Sequence, residues 1–404
     1  MTSAYSKIEY KFIILLPIIN AISTVLTDYF NDGSINIGQI RAFIILSYSF
    51  YFILSGKIIQ NSLSKILLFT LIYFFILVLY SSNFSYSLQL YLKYFIATFF
   101  FFIGNYFGKN PNFINDITKS ILIMLFLYLF NFVISNIFGL GFTSYKGVEN
   151  QLYFGVSGVN LAKHISVLLL LFPILNIYKQ NFFWLTLSKV LFFGGIIFIL
   201  FAFKRSAILT LTLGYLVYFF IMRDLKSLKN ILIFSLVLLF ISPLIIDQIS
   251  DNFNARTEAI YLNDSENLDK QARFTEVQEV TQNVQENGII YFLFGSELFN
   301  SMDLFNSERM LHTDYMTILS GSGIIGFFLF FFFYLKMYIK SSIKYFKQEK
   351  YFYKTFHAVT CSLIVSLIIL GFAGNIHAIE PRGTIFLFLG ILYGSKFNYR
   401  YFKK

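Results

Sequence analysis

An all-α membrane protein of about twelve transmembrane helices, with one large hydrophilic loop late in the chain, is the architecture this sequence predicts. Three observations predict it. The 404 residues are 57% hydrophobic and only 13% charged, with a mean hydropathy of +0.67, whereas a soluble domain carries roughly a quarter charged residues. Apolar runs of about 20 residues recur along the chain, the length a helix needs to satisfy its own backbone across a bilayer core. Only five prolines interrupt them, so long unbroken helices are expected.

Taken in order, hydropathy places spans at 11–29, 36–55, 64–80, 87–107, 116–138, 159–178, 182–203, 206–222, 228–248, 313–335, 355–376 and 382–396. The first segment is followed by no small-residue cleavage site and reads as a retained helix. The seventh and eighth are divided only by the turn at Lys204 and Arg205. Cys361, the one cysteine, lies inside an apolar run and can form no internal disulfide. Between spans nine and ten runs the long hydrophilic stretch, 247–311, within an otherwise single membrane domain covering 1–404. There Phe274, Val277, Val280 and Val284 recur at helical spacing and Gly288 supplies a stop, which predicts an amphipathic helix over 270–287. The apolar run 289–294 is too short to span. It is expected to dip into the interface or cover the membrane helices, and to end at Gly295.

An even number of spans puts both termini on one side. With that side cytoplasmic, 21 of the 32 Lys and Arg fall inside and 11 outside, while 17 of the 21 acidic residues fall outside, as the positive-inside rule requires. The 247–311 loop is then expected to face out, away from the cytoplasm. The net charge of +11 is then accounted for by topology and attraction to anionic lipid rather than by a nucleic-acid partner.

The outward basic residues carry the functional information, because they defy that sorting. Arg41, Lys93, Lys163 and Arg382 sit at or just inside outer helix ends, and Lys204 and Arg205 occupy a turn flanked by apolar residues. Ionisable groups at membrane depth are costly and by default functional hypotheses. A group of arginines can hold an anion, a diphosphate above all, without metal. The competing reading of Arg41, Lys93, Lys146 and Lys163 is as anchors that snorkel to headgroup phosphates. Among four histidines, His357 falls on the cytoplasmic side, and His164 and His377 lie near outer helix ends. His312 stands where the loop enters span ten and could accept a proton from a hydroxyl; a helix-start histidine facing water is the alternative. No cluster at metal-ligand spacing, no Asp-x-Asp pair and no glycine-rich phosphate loop is present, so neither metal nor cofactor is expected.

His312-Thr313-Asp314-Tyr315, followed by Ile318-Leu319 and by Gly323-Ile324-Ile325-Gly326-Phe327, resembles the His-Asn-x-Tyr-Leu...Gly-x-x-Gly signature of the O-antigen polymerase and ligase superfamily. Lys204-Arg205-Ser206 resembles its basic turn before a membrane helix. Arg273 followed by Phe292-Leu293-Phe294-Gly295-Ser296 fits the place of its loop arginine and Gly-x-Gly stretch. Thr313 stands for the usual Asn and Ser296-Glu297 for the second glycine, and Arg256 rivals Arg273 as the loop arginine. The resemblance implies a GT-C-like fold and a metal-independent, inverting glycosyl transfer from a glycan on undecaprenyl diphosphate. Arg205 and Arg273 would bind the diphosphate and His312 would activate the acceptor hydroxyl. Lys204, Arg256, Tyr315, Arg309, Arg382 and Arg41 would line the substrate site.

The resemblance implies first a Wzy-type polymerase extending an O-antigen or capsular polysaccharide, with a chain-length regulator as a possible partner. A WaaL-type ligase delivering the glycan to lipid A core or another acceptor is the near alternative. A twelve-helix transporter or flippase is the alternative of another class. Carriers of that kind keep carboxylates within the bundle, whereas every Asp and Glu here is placed by sequence in a loop or near a helix end.

Overall fold

The computed structural model describes residues 7–29, 37–110, 112–143, 152–155, 158–177, 181–223, 272–300, 311, 313–345, 351–374 and 378–395. Among them the protein is helical: α1 Lys7–Tyr29, α2 Ile37–Leu54, α3 Ser62–Leu79, α4 Phe84–Phe107, α5 Phe113–Phe138, α6 Leu161–Leu169, α7 Phe172–Ile177, α8 Phe182–Ala202, α9 Arg205–Met222, α10 Ala272–Phe294, α11 Asp314–Tyr345, α12 Tyr351–Phe372 and α13 Ile379–Gly394. Ten stretches are long and apolar enough to cross a membrane, α6 and α7 together making one of them. The sequence suggested twelve. Span 228–248 lies outside the described residues. The last expected span is α13, whose 16 residues rise only about 24 Å against a hydrocarbon core of about 30 Å.

The break between α6 and α7 has a covalent cause. Pro173 has no N–H to return to the carbonyl four residues back, that of Leu169. Tyr215 of α9 supplies the missing donor, its hydroxyl giving a hydrogen bond to the Leu169 carbonyl at 2.7 Å.

Successive helices alternate in direction, so the bundle has a Lys7 end and an Arg41 end. The starts of α1, α3, α5, α8 and α12 lie at the first, those of α2, α4, α6, α9, α11 and α13 at the second. Parallel pairs show it directly: Tyr10 donates to Asp116 at 2.8 Å and Asn20 to Tyr128 at 3.3 Å along α1 and α5. The closest parallel contact is α4 on α13. Gly104 and Gly108 of α4 meet Gly390 and Gly394 of α13 in two small-xxx-small stripes, so near that a Cβ on Gly104 would stand 2.1 Å from the Leu387 carbonyl oxygen. In lipid, where apolar burial does not drive association, such backbone approach is a main source of packing energy.

At the Arg41 end, α10 and α11 build the entry to the last third of the chain. The amphipathic helix expected over 270–287 is the first part of α10, and Gly288 interrupts it at φ 78. The apolar run 289–294 follows as a second short helix and turns at Gly295, φ 74. Only a glycine fits there, since a Cβ would lie 2.5 Å from the backbone of Gly321 and Ser322. α11 is itself non-helical at Gly323, φ 61, where the Leu293 backbone presses in. The tip of α10 therefore seats against α11 about two to three turns inside its start.

Candidate functional site

Three polar assemblies occupy the Arg41 end. The first is the turn from α8 to α9. Phe203 adopts a left-handed conformation, φ 40, and Lys204 is extended, so the chain reverses in two residues and Arg205 opens α9. Arg205 is exposed and makes no ion pair among the described residues. A cation there adds to the positive end of the helix dipole and its unpaired N–H groups, a combination that attracts anions.

The second assembly frames position 312. His312 itself, with Arg309 and Arg256, lies outside the described residues. Arg273 is placed on the first turn of α10, and its side chain lies outside them too. The residues that follow 312 are held from two directions. The Glu276 carboxylate, wholly buried, accepts from the Thr313 N–H at 3.1 Å and its hydroxyl at 3.2 Å. Asp314 is ion-paired with Arg382 of α13, at 1% and 2% exposure. Tyr315 donates its hydroxyl to the Ile368 carbonyl at 2.6 Å and packs edge-on against Phe372 at 4.7 Å. Arg382 and Tyr315 are thus engaged inside the protein, Arg382 with Asp314 and Tyr315 with α12.

Both assemblies share one end of the bundle. α9 and α12 run antiparallel, Ser362 donating to the Gly214 carbonyl at 2.7 Å and Thr355 to the Met222 sulfur at 3.7 Å. Arg205 and Phe372 are therefore both about 14 Å further along, at the same level, and Phe372 touches Tyr315.

The third assembly surrounds Arg41, whose Nη1 donates to Asn20 at 2.9 Å and to Ser23 and Thr24 at 3.2 Å, and lies 3.5 Å from Glu380. This arginine is an internal linker of α1, α2 and α13. A fourth contact ties the loop after α10 to the α3–α4 turn. Glu297 Oε2 accepts from the Ser82 N–H at 3.0 Å, the Ser82 hydroxyl at 2.7 Å and the Asn300 amide at 2.6 Å. Burial opposes its charge, yet these donors hold the Glu297 carboxyl below its ordinary range.

Sequence reasoning did not single out Glu276, Glu297 or Glu380. The first two lie in a loop that reads as solvated. Glu380 announces itself only by adjacency to Pro381-Arg382 at a helix start. Asp314, Glu276 and Glu380 are all near helix starts, as expected, but Asp314 and Glu276 are enclosed and Glu380 is only partly open to solvent.

An open apolar groove of about 1260 Å³ runs between α9 and α11 over α12, lined by Leu216, Phe220, Phe328, Phe332, Leu335 and Ile364 among others. It begins on α9 eleven residues beyond Arg205, about 16 Å. No protein-family profile and no curated protein matches the chain.

Proposed function

We propose that the protein is a glycosyltransferase of the outer face of a bacterial cytoplasmic membrane, joining undecaprenyl-diphosphate-linked oligosaccharides as a Wzy-type polymerase does. One observation carries the reading: α9 presents an exposed Arg205 and the positive end of its dipole above an apolar groove. That is a head-and-tail arrangement suited to an anionic diphosphate on a long hydrocarbon chain. Thr313 and Asp314, the two residues that follow His312, are held at the same end, which suits a neighbour that must meet an acceptor hydroxyl. On this reading Arg205, with Lys204 and a loop arginine, Arg273 or Arg256, neutralises the leaving diphosphate, and His312 takes the acceptor proton. Glu276 and the Arg382–Asp314 pair position the segment.

Purified protein in lipid nanodiscs, given undecaprenyl-diphosphate repeat units alone, is expected to make a ladder of products. Arg205→Ala and His312→Ala are each expected to lower the rate at least a hundredfold, within the range for a lost general base or oxyanion-type contact. Normal ladders from both variants remove these residues from the mechanism. Product formed only after lipid A core is added identifies the ligase instead.

A further inference from the structure

Glu380 and Arg382 leave the first turn of α13 toward different helices, and the cavity on the Glu380 side holds an unanswered polar atom. The cavity, about 60 Å³, is lined by Asn20, His164, Glu380 and Thr384 within a wall of apolar residues. His164 is 2% exposed, and its Nδ1 has no hydrogen-bond partner. The other ring nitrogen, Nε2, lies 3.0 Å from the Thr384 hydroxyl. That hydroxyl donates to the Glu380 carbonyl at 3.0 Å.

A hydroxyl has one hydrogen to give. With it directed to the carbonyl, Thr384 can only accept, so Nε2 carries the ring hydrogen and a neutral His164 presents a lone pair at Nδ1. Glu380 Oε2 stands 4.0 Å from that lone pair. Two acceptors facing each other need a hydrogen between them. Either a water donates to both, for which the space suffices at about 10–15 Å³ per water, or a proton sits on Nδ1 and the contact becomes imidazolium to carboxylate.

We propose that His164 and Glu380 form an internal proton-binding site, bridged by water when empty and taking up one proton on Nδ1. The proton arrives as hydronium from the aqueous phase: one of its O–H bonds breaks to leave water, the Nδ1 lone pair forms the N–H bond, and the imidazole becomes imidazolium. Glu380, with its side chain 24% exposed, connects the cavity to the Arg41 end. The groups facing the site set its affinity with opposite signs. Glu380 from α13 favours the proton. Arg41 from α2, 3.5 Å from Glu380 Oε1, opposes it. α5 brings Tyr128, its ring edge-on to His164 at 5.5 Å, and α1 brings the neutral Asn20 and Thr24. On its own helix Lys163 is adjacent and buried. α4 presents Phe100 to the cavity. α8 carries only Lys189, near its far end, and the nearest α9 group, Tyr215, is bonded five residues away at Leu169.

This site is independent of the transfer chemistry proposed above. The test is hydrogen exchange at the imidazole C2 of His164, read by mass spectrometry on the full chain in nanodiscs from pH 4 to 9. A titration curve is expected. Glu380→Gln should move its midpoint down by about one pH unit, a tenfold loss of proton affinity, and Arg41→Gln should move it up by a similar amount. Should Glu380→Gln fail to fold, the upward shift in Arg41→Gln decides alone. A His164 that does not titrate, or a midpoint that neither substitution moves, overturns the proposal.

Discussion

The two ends of the bundle both gather positive charge, and they treat it differently. At the Lys7 end lysines serve helix ends and the interface. Lys344 donates to the carbonyls of Leu392, Tyr393 and Ser395 at 3.3, 2.7 and 3.0 Å, answering the orphan acceptors where α13 stops. Lys57 pairs with Glu9 at 2.8 Å while keeping a fifth of its side chain in contact with solvent. At the Arg41 end two guanidiniums are held between helices, Arg382 by Asp314 and Arg41 by Asn20, Ser23, Thr24 and Glu380. A planar fork with several donors suits enclosure among oxygens, whereas a compact ammonium on a flexible stem suits the interface. The lesson is that a cation at membrane depth does not by itself mark a binding site. The informative one is the cation without a counter-charge, and among the arginines of this end whose side chains are described that is Arg205, which is exposed.

Breaking the comparison starts with its deepest pair. Arg382→Met leaves Asp314 buried without a counter-charge and is expected to cost about 3–5 kcal/mol, while the double variant Arg382→Met, Asp314→Leu recovers much of it. Lys344→Met at the other end should cost only about 1 kcal/mol, because water can reach carbonyls at a helix terminus near the interface. Thermal unfolding in a mild detergent measures all three. Equal losses from Arg382→Met and Lys344→Met would mean that the two ends do not differ in the way the burial suggests.

Much of this was legible in the sequence, and the limits have physical causes. Span positions followed from hydropathy, and the α8–α9 division at Lys204 and Arg205 followed from two charges between apolar runs. Gly288 and Gly295 marked turns because a helix cannot easily continue through them. The α4–α13 contact through Gly104, Gly108, Gly390 and Gly394 was not read from the chain, because a stripe of small residues does not say which helix it meets. The positions of Arg382, Tyr315 and Arg41 were legible, but not what they meet within the bundle. Their partners, Asp314, the Ile368 carbonyl and Glu380, are 68, 53 and 339 residues away, and pairing at that separation is set by the packing of whole helices. His312, Arg256 and Arg309 lie outside the described residues, so for them the sequence remains the only witness.

The smallest expected effect sharpens the comparison at its margin, where the Arg41 end meets water. Glu297 gathers donors from Ser81, Ser82 and Asn300, and those donors favour its charged form, so its carboxyl titrates lower when folded than when unfolded. The sign follows: the stabilisation is complete above the unfolded carboxyl value, near 4.3, and fades as pH falls through it and the lower folded value. Backbone hydrogen exchange over residues 296–300, corrected for the intrinsic effect of pH, should therefore show protection at pH 7 that weakens on going to pH 3.5. Glu297→Gln keeps the shape but loses the charge, and should show weaker protection with little dependence on pH. A wild-type segment whose protection is unchanged over that range would mean that the Gly295 turn against Gly321, rather than the carboxylate, holds the tip of α10 in place.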